Sequence, residues 1–591
     1  MRLSRARLVA LGLGSLLSLA SLPALAYPGF FVGKNDAKRV LHSSSYLVMN
    51  RGEQSVVSVV ADYQGPFEPF AVVLAVPSDV TIDRVSTIRR EFVDRIDQMS
   101  APRYHEFWET DPCDPGKATQ EWERDLRVQT GGDNFLGGSM DLGPTRKVPK
   151  ELLMNVKSEQ KSGEYSFFMP KEEQTFEDLL KERGWVLTAP MQQAITAYSG
   201  QGMKFVLAEV DPNRVELVGS EKGQLSPIRF WTDQRYTKLP SKLARLSSDG
   251  PQELFVFVLD NEHRFQTTNY ELANAPTNIE VDYQYPYNGK EVYLKERMAE
   301  LFAGMHDLWL EKHPKTFWLE YVWKSVDCGQ PCPNDPMLIN ELLTLGGDVF
   351  ETKVSDEEKN PKPTPRTEEE ERKMKIELEG LPAKDRPKRK KMLEEERKEL
   401  FKRKALLARH EYVITRLHHR YADDGLPTDV EIGPAQGGLE GGIYIPKGPT
   451  KEISQEVKPS EAYKFQTRVN NFHPWKGMQA CETPERYRWG KPPRTYRGLR
   501  KTWVVEDLYR KNRKEVNVAE VIQSPIPQLG LVRKERPNPD AGLDAGMEGT
   551  GKGKGCGCRL PGAEATAPTG FAALVAVAAA ILVRRRRRRG E

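Results

Sequence analysis

The sequence predicts an α+β protein: a strand-rich body with interspersed helices, a charged helical-hairpin insertion and a C-terminal transmembrane helix. Three observations predict it. β-Branched runs such as 54–63 (QSVVSVVADY) and 70–76 (FAVVLAV) recur, but strand and helix signals are segregated rather than alternating. Residues 353–409 are densely charged at helical spacing. Residues 565–583 carry no charge and, at about 1.5 Å per residue, just span a bilayer core of roughly 30 Å.

Residues 1–26 have the three-part build of a secretory signal. Arg2, Arg5 and Arg7 precede an apolar stretch, and Ala24-Leu25-Ala26 places cleavage between Ala26 and Tyr27. A body over 27–352 follows. Its runs 54–63 and 70–76 predict a hairpin across Gly65-Pro66. Helices are expected over 92–99 and 175–181, and strands over 203–210, 254–259 and 413–421. Val292, Leu294, Met298, Leu301, Phe302 and Met305 predict a longer helix over 290–311. Segments 67–78 and 252–262 share an aromatic, an apolar run and a polar stop, which suggests an internal repeat.

The insertion, 353–409, opens on Pro361, Pro363 and Pro365, a stiff lead-in. Thr367 with Glu370 forms a capping box, and Glu369 with Lys373 is a favourable i,i+4 pair. Two helices, 367–379 and 385–409, are expected around Gly380-Leu381-Pro382, as a solvated hairpin or a partner-binding arm. The body resumes over 410–537 with Trp475, Trp489 and Trp503. A Gly-rich linker, 538–555, leads to the tail at 556–591.

The 591 residues hold 88 basic and 84 acidic side chains, a net charge of +4. The signal holds three of the basic residues, and the segment from Arg559 holds seven basic and two acidic. The remainder, 78 against 82, is net −4. The basic balance therefore belongs to the ends and is no evidence for nucleic-acid binding.

The tail resembles the MYXO-CTERM sorting signal of myxobacterial surface proteins. The Cys motif is Gly555-Cys556-Gly557-Cys558, the apolar helix follows, and Arg584, Arg585, Arg586, Arg587, Arg588 and Arg589 form the cluster. The resemblance implies the secretion machinery and an intramembrane sorting protease as partners. It also implies modification of Cys556 or Cys558 and attachment at the cell surface.

The body resembles the family called domain of unknown function 2330. Tyr63-Gln64-Gly65, Ala101-Pro102-Arg103, Gly202-Met203-Lys204-Phe205 and Ala275-Pro276-Thr277-Asn278 carry the likeness. So do Tyr321-Val322-Trp323 with Cys328 and Cys332, and Thr415-Arg416-Leu417-His418-His419-Arg420-Tyr421. His473-Pro474-Trp475 and Cys481 are similar to an extension of surface-anchored members. The family often shows C-x-x-C where this chain spaces Cys328 and Cys332 one residue wider. The resemblance implies no catalytic residues.

Cys113, Cys328, Cys332 and Cys481 are an even set in an exported body, which favours disulfides. Three pairings are open; Cys328–Cys332 with Cys113–Cys481 is the favoured one. A metal site at Cys328 and Cys332 lacks a second Cys pair or a suitable His pair, and the three-residue spacing and export argue against a redox-active dithiol. On a strand, His418 and His419 point to opposite faces and do not share one ion. His410-Glu411 lacks the second His of a zinc-protease motif, because Ile414 stands there. Gly437 to Gly442 lacks the Lys-Ser/Thr ending of a phosphate loop and reads as a flexible loop. The aromatic run 104–108 (YHEFW) suits packing before sugar stacking. No metal and no cofactor are expected. The expected role is structural, adhesive or partner-binding at the envelope. The alternatives are an extracellular hydrolase with an unrecognised site and a metal- or redox-linked envelope protein.

Overall fold

The computed structural model describes residues 27–35, 37–66, 68–113, 161–217, 222–281, 284–287, 290–293, 298–325, 337–421, 425–441, 456–478, 480–490 and 518–531. Residues 1–26, 538–555 and 556–591, on which a signal, a linker and a sorting tail are expected, lie outside them, as do Cys328 and Cys332. The main strands are β1 (Gly29–Gly33), β2 (Leu41–Arg51), β3 (Gln54–Gln64), β4 (Phe70–Pro77), β5 (Arg103–Glu109) and β6 (Met203–Val210). They continue with β7 (Ile228–Thr232), β8 (Ser248–Asp260), β9 (Thr316–Lys324), β10 (Val413–Tyr421), β11 (Tyr463–Gln466) and β12 (Arg468–His473). The helices used below are α1 (Arg90–Ser100), α2 (Phe176–Glu182), α3 (Ala189–Ser199), α4 (Met298–Leu310), α5 (Glu368–Glu379) and α6 (Arg386–Arg409). The described body is mixed α+β and strand-rich.

Two sheets pack face to face. The smaller runs β1-β4-β6 and continues through Tyr165–Phe168; the larger has β3-β2-β8-β10-β9-β11 at its centre. Between them lies an apolar layer in which Phe70, Val72 and Leu74 of β4 meet residues such as Val57, Leu254 and Leu417. The outer face of the smaller sheet, Val73 and Leu207 among it, is covered by Phe176, Leu180, Ile195 and Tyr198 from α2 and α3. The outer face of the larger sheet is covered in part by Phe92 and Ile96 of α1. Leu301, Phe302 and Met305 of α4 pack on Trp318 beside it. The order is helix, sheet, sheet, helix. Strands buried on both faces read as unbroken apolar runs, which is why FAVVLAV shows no alternation.

Three sequence expectations are corrected. The hairpin across Gly65-Pro66 does not form: β3 pairs with β2, while β4 pairs with β1 and β6 in the other sheet. The turn that does close a hairpin is at Gly52, whose φ of 59° suits glycine. Because β4 and β8 lie in different sheets with unlike neighbours, no repeat is seen in the pairing. The helix over 290–311 is shorter, because Lys290–Tyr293 is a strand paired with Gln284–Tyr287. The Asn288-Gly289 pair between these runs is a hairpin signal that outweighs the helical spacing.

The charged insertion forms one helical turn, Asp356–Lys359, and two longer helices, α5 and α6, with no buried residue in any of them. Thr367 and Glu370 cap α5 reciprocally. Ion pairs hold the helices together: Arg366 to Glu394 at 2.7 Å and Arg389 to Glu377 at 2.7 Å. At the root, Glu351 takes Arg409 and His410, both at 2.9 Å. Far away in sequence, Cys113 and Cys481 form a disulfide with Cα atoms 5.5 Å apart. It ties the end of β5 to the chain beyond β12. No described helix is long and apolar enough to cross a membrane.

Replacing residues 361–406 by a short Gly-Ser linker removes no buried residue. The thermal midpoint of the shortened chain should stay within about 3 °C of the parent, since surface changes of this kind are within about 0.5 kcal/mol each. Loss of the cooperative transition in calorimetry would show that the arm belongs to the core.

Candidate functional site

Strand periodicity places Arg416, His418 and Arg420 on one face of β10. All three are drawn into the body, and each needs a carboxylate. Arg416 bonds Asp97 of α1 at 2.5 Å and Glu320 of β9 at 2.6 Å. His418 bridges Glu320 at 2.8 Å and Glu253 of β8 at 2.5 Å. Arg420 bonds Glu253 and Asp307 of α4, both at 2.5 Å. The result is an alternating line of charges, Asp97, Arg416, Glu320, His418, Glu253, Arg420 and Asp307.

Local irregularity makes this possible. The pairing of β9 with β10 shifts register between Leu319 and Tyr321, leaving Glu320 as an extra residue. Such a bulge re-aims a side chain, here toward Arg416 and His418. Arg416 and Glu320 are essentially inaccessible to solvent, at 0% and 1%. Burial pulls the His418 pKa down, but Glu320 and Glu253 outweigh it and raise it to about 9. Burial pushes Glu320 up, yet His418 and Arg416 hold it below its usual range. His419 lies on the opposite face, between the backbone carbonyls of Thr316 and Gly425 at 3.0 and 3.1 Å. Every charge in the line has an opposite partner, although Arg416 Nη2 is buried without a hydrogen bond, and no metal-binding group of His, Cys, Asp or Glu is found among the described residues.

A second feature faces solvent. A cleft of about 1120 Å³ opens between α3, the 3₁₀ turn Ser241–Ser247 and the chain at 428–431. Its volume is at the upper end for small-molecule sites. Pro190, Ala194 and Ala197 recur at helical spacing on the α3 wall, facing Leu243 and Leu246. At its base the Tyr198 hydroxyl donates to both oxygens of Asp429, at 2.7 and 2.9 Å. The backbone N–H of Lys242 donates to Asp429 at 3.0 Å. Asn269 clamps the same segment, donating to the Asp429 carbonyl at 2.7 Å and accepting from the Glu431 N–H at 2.9 Å. Burial raises the pKa of Asp429 and of Tyr198. Lys238, Lys242 and Arg245 complete the lining beside Asp429 and Glu431. An apolar trough with a cationic edge suits a ligand that has an apolar body and acidic groups.

The residues singled out in the sequence fall as follows. Cys113 and Cys481 are joined, whereas Cys328, Cys332, Cys556, Cys558, Ala26 and the Arg584 to Arg589 cluster lie outside the described residues. Tyr27 is buried, and its N–H donates to the Ser241 carbonyl at 3.1 Å. His410 bonds Glu351. The glycine run expected as a flexible loop is a strand over Gly438–Gly441. A Cβ on Gly438 would lie 2.3 Å from the Ala462 carbonyl oxygen, so glycine permits the close backbone approach. In YHEFW, Trp108 stacks on His473 and Phe107 on Phe472, with centroids 3.8 and 5.2 Å apart. Sequence reasoning missed both the charge line and the cleft. The basic residues at every second position of TRLHHRY were a readable signal for the line. Nothing local marked the cleft, because its walls lie far apart in sequence.

A family model described as "Uncharacterized protein conserved in bacteria (DUF2330)" matches residues 22–432. No curated protein and no solved structure matches the chain. The matched span contains β1 through β10, and hence the charge line and the cleft; β11 and β12 lie beyond it.

Arg416→Met leaves Asp97 and Glu320 buried without their cation. It should cost at least about 3 kcal/mol in urea unfolding. His418 has a folded pKa of about 9 against about 6.5 unfolded. Its stabilisation is therefore complete below pH 6.5 and is lost as pH rises through 9. The stability difference between the parent and His418→Gln should shrink over that window, and a difference that grows with pH would contradict the assignment.

Proposed function

The chain belongs to the bacterial family DUF2330, and we propose that within it this protein is an exported, surface-anchored binding protein. The cleft at Tyr198 and Asp429 is its ligand seat. That cleft is the observation that carries the reading: it is open, partly apolar, and edged by Lys238, Lys242 and Arg245. The partner it suits is an envelope component that presents acidic groups on an apolar body. Export is supported by the signal at 1–26 and by the Cys113–Cys481 disulfide, a bond at home in oxidising compartments. Anchoring is supported by the three-part tail. The secretion machinery delivers the chain, an intramembrane protease processes the tail, and Cys556 or Cys558 is modified. The role is binding or adhesion at the envelope.

Two measurements test this. Replacing Cys556 and Cys558 by Ser should leave the full-length tail uncut in the membrane fraction, seen as unchanged intact mass. Normal surface display of that variant would overturn the sorting reading. For the cleft, a fluorescent peptide of alternating Leu and Glu should bind the full chain. The Lys238→Glu/Lys242→Glu variant should bind it at least about tenfold more weakly, with equal thermal stability. Equal binding of an alternating Leu and Lys peptide would contradict the acidic-ligand assignment.

A further inference from the structure

The turn of the charged arm has a composition that the rest of the arm does not share. Between 384 and 391 lie Lys384, Arg386, Lys388, Arg389, Lys390 and Lys391, against the single acidic residue Asp385. Two of the six are hydrogen-bonded within the arm. Arg386 donates to the carbonyls of Leu381 and Glu379 at 3.0 and 3.2 Å. Arg389 pairs with Glu377 and Glu396 at 2.7 and 2.8 Å. Lys384, Lys388, Lys390 and Lys391 are exposed, and Lys391 makes a long i,i+4 ion pair with Glu395, at 4.0 Å.

This charge sits at the wrong end of a helix. The first turn of α6 has no acidic residue, and Asp385 makes no side-chain capping bond. Cations at a helix N-terminus meet the positive end of the macrodipole, so they are mutually and locally unfavourable until an anion arrives. The same end of the arm exposes apolar side chains. Ile376, one turn before the end of α5, is 63% exposed, and Met392, less than two turns into α6, is 42% exposed.

We infer that the turn of the arm docks on an anionic phospholipid surface, the four exposed lysines meeting headgroup phosphates and Ile376 and Met392 entering the headgroup boundary. A soluble polyanion would be satisfied by the charge alone and leaves the exposed apolar pair unused. A second copy is disfavoured, because two such turns repel. A lipid boundary takes both charge and apolar surface. Docking makes no use of the cleft, so its failure and that of the ligand reading are separable.

The test is hydrogen–deuterium exchange of the full chain with vesicles of phosphatidylcholine alone or with about one-third phosphatidylglycerol. The apolar tail is common to all samples and cancels in the comparison. Amides of 381–393 should slow at least about threefold on the anionic vesicles only. The effect should vanish in Lys384→Glu/Lys388→Glu/Lys390→Glu/Lys391→Glu and diminish in Ile376→Ser/Met392→Ser. Equal exchange on both vesicles would overturn the inference. So would full protection retained in the charge-reversed variant, or equal protection by soluble heparin without lipid.

Discussion

The body depends on seven alternating charges along one face of β10, buried from Asp97 to Glu253 and reaching solvent at Asp307. A strand at the centre of a large sheet, carrying Arg416, His418 and Arg420 on a single face, cannot sit in an apolar layer unless each cation is matched. The matching groups come from elsewhere in the chain: Asp97 from α1, Glu253 from β8, Asp307 from α4 and Glu320 from the bulge in β9. The line therefore fixes which helix lies on which part of the sheet. Apolar burial favours many packings, whereas the charges tolerate few. A one-residue slip of β10 would turn all three cations into the layer between the sheets.

That placement governs what lies at the surface. With one face of the larger sheet committed to α1, α4 and the charges, the smaller sheet covers the other. Its own outer face is then left for α2 and α3. Tyr198 bridges the two roles, because its ring is buried in the outer layer while its hydroxyl reaches Asp429 in the cleft. The cleft is thus a by-product of stacking four layers. The charged arm leaves the body beside Glu351, which anchors it through the buried His410 and the largely buried Arg409.

Much of the local structure was legible in the sequence. The caps and ion pairs that shape α5 and α6 act over three or four residues, so reading along the chain finds them. The opposite facing of His418 and His419 follows from strand geometry alone. The strand partners were not legible: β3 and β4 are buried on both faces, and an unbroken apolar run does not say which strand lies beside it. The helix over 290–311 was overextended because helical spacing outweighed a two-residue turn signal. The glycine run at 438 was misjudged because close approach of another strand is invisible from composition. For the candidate site, the cations of the charge line were visible but their partners were scattered from Asp97 to Glu320.

The protonation of His418 is the most direct test of this account. A neutral imidazole donates only one hydrogen bond, yet His418 lies between two carboxylates that each require a donor. Nitrogen-15 NMR of the His418 side chain at pH 7.5 reports the two ring nitrogens separately. The account predicts that both carry a proton. One bare ring nitrogen at that pH would contradict it, because the line would then no longer alternate.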